Sequence, residues 1–195
     1  MGSGMQSPRQ KNYLCAVIDD LYSVAAFSGH RTYDGRADEA LRRRVGELYA
    51  GGVRTFLSGM AVGFDLAASE AVLELRSSCP GLRLVAVVPF EGQQSRFSQT
   101  DQARFGRVLA AADEVVVLAT HYYRGVYAVR NDFLVAHASV LIAWYDGSSG
   151  GTHYTVRRAL RSGRRVDNLC PAGPLLPVRH LRPENTCFDL WSLEP

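Results

Sequence analysis

The stretch best suited to chemistry is Trp144-Tyr-Asp-Gly-Ser-Ser-Gly-Gly-Thr-His-Tyr-Thr-Val156, where Gly147, Gly150 and Gly151 separate an apolar run from a segment of helical spacing. Glycines before a helix let the backbone approach an anion, and the free N–H groups of the first helical turn then face it. Thr152 stands where it could cap that helix. A tight strand-to-helix turn is the plainer reading, although one glycine would be enough for it. Ser58-Gly-Met-Ala-Val-Gly-Phe-Asp65 repeats the pattern: Gly59 and Gly63 bracket a bend, and Asp65 stands where a helix begins, as a ligand-facing carboxylate or simply as a cap. Ser28-Gly29-His30-Arg31 is a third short turn, in which His30 either meets a phosphate or ribose hydroxyl or fills the loop. Arg130, followed by Asn131, reads as the start of a helix, where the dipole disfavours a cation unless an anion is near. Tyr122, Tyr123 and Tyr127 could stack on a base, cover a pocket, or pack only against their own helix. Glu70, Glu91 and Asp146 are the carboxylates placed to act as acid or base.

Other chemistries are excluded by what is scarce. Of 22 basic residues only Lys11 is a lysine, and it precedes the first core strand, so neither a P-loop nor a Schiff-base site can be built. A bound phosphate must be held by arginine, backbone N–H groups and helix N-termini. Cys15, Cys79, Cys170 and Cys187 are far apart and read as reduced thiols; no metal site is expected, and His121 and His153 read as hydrogen-bonding loop residues. The net charge of +3 and the arginines of 42–44 and 157–165 are read mainly as solvated helix faces, which ranks nucleic acid below a small ligand as partner.

The elements that must position these loops follow from periodicity. Apolar runs at 23–27, 55–57, 82–88, 114–118 and 140–144, with a weaker one near 166–169, alternate with segments of helical spacing. Valine-rich runs separated by helices demand a parallel sheet covered on both faces, which predicts an α/β, three-layer, Rossmann-like doubly wound fold in a single domain. Every strand then delivers its following loop to one edge, where ligands of open sheets bind. The domain is expected over 23–170, with residues 1–22 a partly disordered leader and 171–195 a proline-rich strap whose Leu175, Leu176, Phe188 and Trp191 dock on the domain or on a second subunit. Apolar runs too short to span a bilayer and the lack of a signal segment predict a cytoplasmic protein without a membrane partner.

Taken together, Ser28-Gly-His-Arg31, Ser58 to Glu70, Pro89-Phe-Glu91, Tyr127 to Asn131, Tyr145-Asp-Gly147 and Gly150-Gly-Thr152 resemble the YpsA-like family of the SLOG superfamily, from about Val24 to about Leu169. That superfamily groups the DNA-processing Smf/DprA proteins with the LOG cytokinin-activating enzymes. The resemblance implies a Rossmann-like fold that binds a nucleotide or nucleotide-derived ligand, through Gly29, His30, Arg31, Gly59, Gly63, Asp65, Arg130, Asn131, Gly150, Gly151 and Thr152. LOG-type phosphoribohydrolases carry a glutamate after the glycine-threonine loop, where this chain has His153-Tyr-Thr-Val156. Relatives also lead one to expect an acidic residue near Ala136, where this chain has Ala-His-Ala. The leading expectation is therefore a binding or sensing module. The alternatives are a hydrolase of a nucleotide N-glycosidic or phosphate bond using Glu70 or Glu91, and a single-stranded nucleic-acid binder. No cofactor is fixed beyond a nucleotide-derived ligand, and self-association is left open.

Overall fold

The computed structural model describes residues 21–174. The parts of the leader and strap at 1–20 and 175–195, including Cys15, Cys187 and the four apolar strap residues, lie outside the described residues.

Six strands form one parallel sheet: β1 (Val24–Gly29), β2 (Thr55–Ser58), β3 (Arg83–Val88), β4 (Glu114–Val117), β5 (Val140–Trp144) and β6 (Arg165–Asn168). Their spatial order is β4-β3-β2-β1-β5-β6. Each matches an expected run to within one or two residues, because β1, β3 and β5 are buried on both faces and so are apolar almost throughout. Five helices connect them: α1 (Asp38–Ala50), α2 (Phe64–Leu75), α3 (Gln99–Ala111), α4 (Val126–Ala136) and α5 (Gly151–Arg161). One apolar layer joins the sheet to Leu41, Val45, Phe64, Leu66, Val72 and Phe105 of α1–α3. The other joins it to Leu134, Val135, Val156 and Ala159 of α4 and α5. The expected three-layer, doubly wound architecture is thus the observed one.

The helix between β4 and β5 differs from expectation. It starts at Val126, so Arg130 is in its second turn rather than at its start. The inward face of α4 is Val126, Arg130, Asn131, Leu134 and Val135, and the two polar residues at its centre interrupt the apolar periodicity that marks a helix in sequence.

The sheet reverses direction at β1 and β5. From β1 the chain passes to α1 in one layer, and from β5 to α5 in the other, so the two connections diverge and leave a crevice between them. Registration of Ser28 with Ala143 and of Gly29 with Trp144 brings the two strand ends level. The β1–α1 and β5–α5 loops consequently face each other.

Candidate functional site

The glycines of this edge divide into two groups. A Cβ at Gly29 would collide with Phe64, which lets α2 lie close against the end of β1. One at Gly59 would strike the Arg130 guanidinium, and one at Gly63, whose φ is 79°, would strike the His30 and Arg31 carbonyls. These three expected ligand glycines are therefore required by packing of the protein on itself. At the β5–α5 loop, by contrast, a Cβ on Gly150 (φ 143°) would meet no atom within 4 Å, and one on Gly151 only the Asn131 amide nitrogen at 3.8 Å. At Gly147, in the same loop, an added Cβ would meet only Pro174 Cδ, at 3.7 Å.

No side chain caps α5, whose N-cap is Gly150. Thr152, expected as the cap, is instead buried at the second helical position, while Thr155 turns its hydroxyl back to donate to the Gly151 carbonyl at 2.8 Å. The N–H groups of the first turn of α5 are thus left by the side chains to whatever approaches the helix end.

Beneath the loops runs a buried polar network. Asp65, in the first turn of α2, accepts from the Gly29 N–H at 3.2 Å and the Ala61 N–H at 3.4 Å, and its carboxylate lies 3.7 Å from Arg130 Nη1. It is not the cap of α2, a position held by Gly63. Burial pushes the Asp65 carboxyl up to about 6, outweighing the pull of Arg130 and of the two N–H groups. Arg130 also donates to the Gly59 carbonyl and, through Nε, to Asn131 Oδ1 at 2.8 Å. Burial lowers its guanidinium from the ordinary value, but an arginine stays charged. The anion beside Arg130 is therefore Asp65, and the Arg130 side chain is only 9% exposed. Arg130 ties the end of β2 to α2 and α4 instead of facing the crevice. Asn131 completes the tie by donating to the Gly151 carbonyl at 3.4 Å, linking α4 to the start of α5.

Above the network, side chains set the loop conformations. His30 Nε2 lies 2.9 Å from the Asp146 carboxylate and 3.3 Å from the Asp146 backbone nitrogen, joining the β1 and β5 ends across the crevice. The hydroxyl and N–H of Ser148 hold the Asp146 carboxyl below the ordinary carboxylate range, so this acid is turned onto its own loop. Tyr145 Oη shares a 2.6 Å hydrogen bond with His153 Nδ1 and donates to the Gly147 carbonyl. Asn168 of β6 brackets the Tyr145 backbone, accepting from its N–H at 3.0 Å and donating to its carbonyl at 2.8 Å. Asn168 was not legible as part of this edge, since its partner is 23 residues away and no local spacing marks the pair.

An aromatic cluster flanks the crevice. Phe90 packs edge-on against Tyr122 and Tyr127, with ring centroids 5.6 and 5.8 Å apart, and Arg31 places its guanidinium carbon 5.8 Å from the Tyr127 centroid. Tyr122 and Tyr123 are exposed. The carboxylates are elsewhere. Glu70 makes a two-point pair with Arg104 of α3, at 3.0 and 2.6 Å, in a cleft of about 340 Å³ between α1, α2 and α3. Glu91 is exposed in the β3–α3 connection, where its N–H donates to the Ala119 carbonyl. Asp146, His30 and the glycine loop are brought together; Glu70 is not brought to them.

With this geometry in view, comparison with known proteins is decisive for family. The YpsA profile, described as the YspA SLOG family, matches residues 26–168. The chain belongs to this family. It is 28% identical over 116 residues to a UPF0398 protein of Halalkalibacterium halodurans, covering 58% of this chain and 61% of that protein. A UPF0398 protein of Bacillus cereus (strain Q1) is 26% identical over 132 residues, covering 67% of this chain and 72% of the relative. The chain thus spans about three-fifths of the length of the first of these relatives. In fold it is similar to DNA processing protein A from Helicobacter pylori, described for its single-stranded DNA binding mode, with a TM-score of 0.58, 17% identity, and coverage of 78% of this chain and 67% of that one. DNA processing protein A from Streptococcus pneumoniae gives a TM-score of 0.56 at 19% identity, covering 75% and 50%. These two likenesses establish a shared α/β fold. Among the described residues, no helix is long and apolar enough to cross a membrane.

Proposed function

We propose that the switch-point crevice of this YspA SLOG family member binds a nucleotide or nucleotide-derived phosphorylated ligand, as a binding or sensing module. One observation carries the reading: Gly150 and Gly151 have open space before them and lead into a helix that no side chain caps. Backbone N–H groups at a helix N-terminus are suited to a phosphate in a chain with so little lysine. Arg31, exposed just after β1, is the cation for the same anion, in place of the buried Arg130. Binding without turnover is favoured because His153, standing where a hydrolase would carry glutamate, is bonded to Tyr145, and Glu70 is held by Arg104.

A second reading is favoured by Arg157 and Arg161, exposed on α5, together with the fold shared with DNA processing protein A: the crevice would take a nucleotide within single-stranded DNA. A steep loss of affinity with salt, growing with oligonucleotide length, would distinguish it.

The test is calorimetric titration of 5′-nucleotides into wild type and Gly151→Asp. The substituted carboxylate would sit at the helix end, favourable to the dipole and repulsive to a phosphate. A folded variant with affinity reduced about tenfold or more supports the proposal, since one charge-assisted contact is worth at least that much. Equal affinity in the variant, or no binding by wild type, overturns it.

A further inference from the structure

We infer that Phe90, Tyr122 and Tyr127 form a platform for a nucleobase, so that the ligand held at the glycine loop carries a base and is more than a phosphorylated sugar. This rests on the phosphate reading of the α5 loop and extends it to the other end of the ligand. Phe90 meets both tyrosines edge-on, at interplanar angles of 72° and 70°, and the two tyrosine rings are 6.3 Å apart. Tyr122 is 57% exposed, although the cluster offers it two aromatic neighbours to pack against. Such exposure of an aromatic ring sacrifices burial, and the flat apolar face it presents suits the π-face that every base offers.

The position of the cluster fits a single ligand spanning both sites. Tyr127 and Asn131 are four residues apart on α4, on one face and about 6 Å apart along the axis. Asn131 is the residue that reaches Gly151. From the other side, Arg31 adjoins Tyr127, while its neighbour His30 adjoins Asp146 at the start of the glycine loop. The platform and the α5 N-terminus are therefore connected through α4 and through the end of β1. Arg31, beside the Tyr127 ring, adds a cation that can stack on a base or meet its phosphate.

The experiment compares ribose 5-phosphate with the four ribonucleoside 5′-monophosphates, titrated into wild type, Tyr122→Ala/Tyr127→Leu and Tyr122→Phe/Tyr127→Phe, each checked for folding by circular dichroism. Wild type should bind at least one monophosphate about tenfold more tightly than ribose 5-phosphate, the advantage expected of base–aromatic stacking. The Ala/Leu variant should lose that advantage, any loss of the Arg31 contact lowering the affinities for ribose 5-phosphate and the monophosphates alike, and the Phe/Phe variant should retain the advantage. If the Ala/Leu variant does not fold, Tyr122→Ala alone, at an exposed position, should lose part of the advantage. Equal affinity of wild type for ribose 5-phosphate and every monophosphate, or an undiminished advantage in the folded variants, overturns the platform and leaves the glycine-loop reading standing. Failure of wild type to bind any of the five compounds overturns both.

Discussion

A methyl group at Gly59 would meet the Arg130 guanidinium, whereas one at Gly151 would meet only the Asn131 amide at a comfortable separation. Both glycines belong to strand-to-helix loops with more than one glycine, yet one is fixed by packing and the other stands before open space. Gly59→Ala should destabilise the fold by about 1–3 kcal/mol, the usual cost of overpacking, read as a lowered urea midpoint. Gly151→Ala should change stability by less than about 0.5 kcal/mol. Asp65 supplies a pH dependence. Its folded carboxyl, raised to about 6 from an ordinary 3.8, keeps a proton that the unfolded chain has already released. Stability contributed by the neutral form is thus complete below about pH 4 and is lost as pH rises towards 6. The advantage of wild type over Asp65→Asn in urea unfolding should shrink across that interval; an advantage that is constant or grows would show that Asp65 is not raised.

At the scale of elements, α3 is the one described α-helix whose N-cap side chain bonds its first turn; α1, α2 and α4, like α5, begin without such a bond. Ser98 caps α3, accepting the Asp101 N–H at 3.1 Å, while α5 begins without a side-chain cap. Ser98→Ala should therefore cost about 1 kcal/mol of stability, measured by thermal unfolding, and leave nucleotide affinity unchanged. The strands were legible because burial on both faces leaves a continuous apolar run that no other element of that length needs. The first residues of α4 were not, because Arg130 and Asn131 occupy its inward face. The same two residues were expected to meet the ligand; in the fold they lie in the buried network beneath the loops. The counter-ion of Arg130, Asp65, is 65 residues away in sequence, and only the fold brings the pair to 3.7 Å. Gly29, Gly59 and Gly63 were expected as ligand contacts, while the neighbours that require a glycine at each come from other elements.

For the whole molecule, the sheet reversal between β1 and β5 opens the crevice in which the proposed ligand would bind, and the chain belongs to the YspA SLOG family. The buried Asp65–Arg130–Asn131 network holds β1, the end of β2, α2, α4 and α5 together beneath that entrance, leaving the glycine loop, Arg31 and the tyrosines to face outward. The most direct measurement is mass spectrometry of small molecules released on denaturing freshly purified wild type and Gly151→Asp. A phosphorylated nucleotide or nucleotide-derived compound released by wild type and missing from the folded variant is the predicted result. Release of the same compound in equal amount from both proteins would contradict binding at the α5 loop.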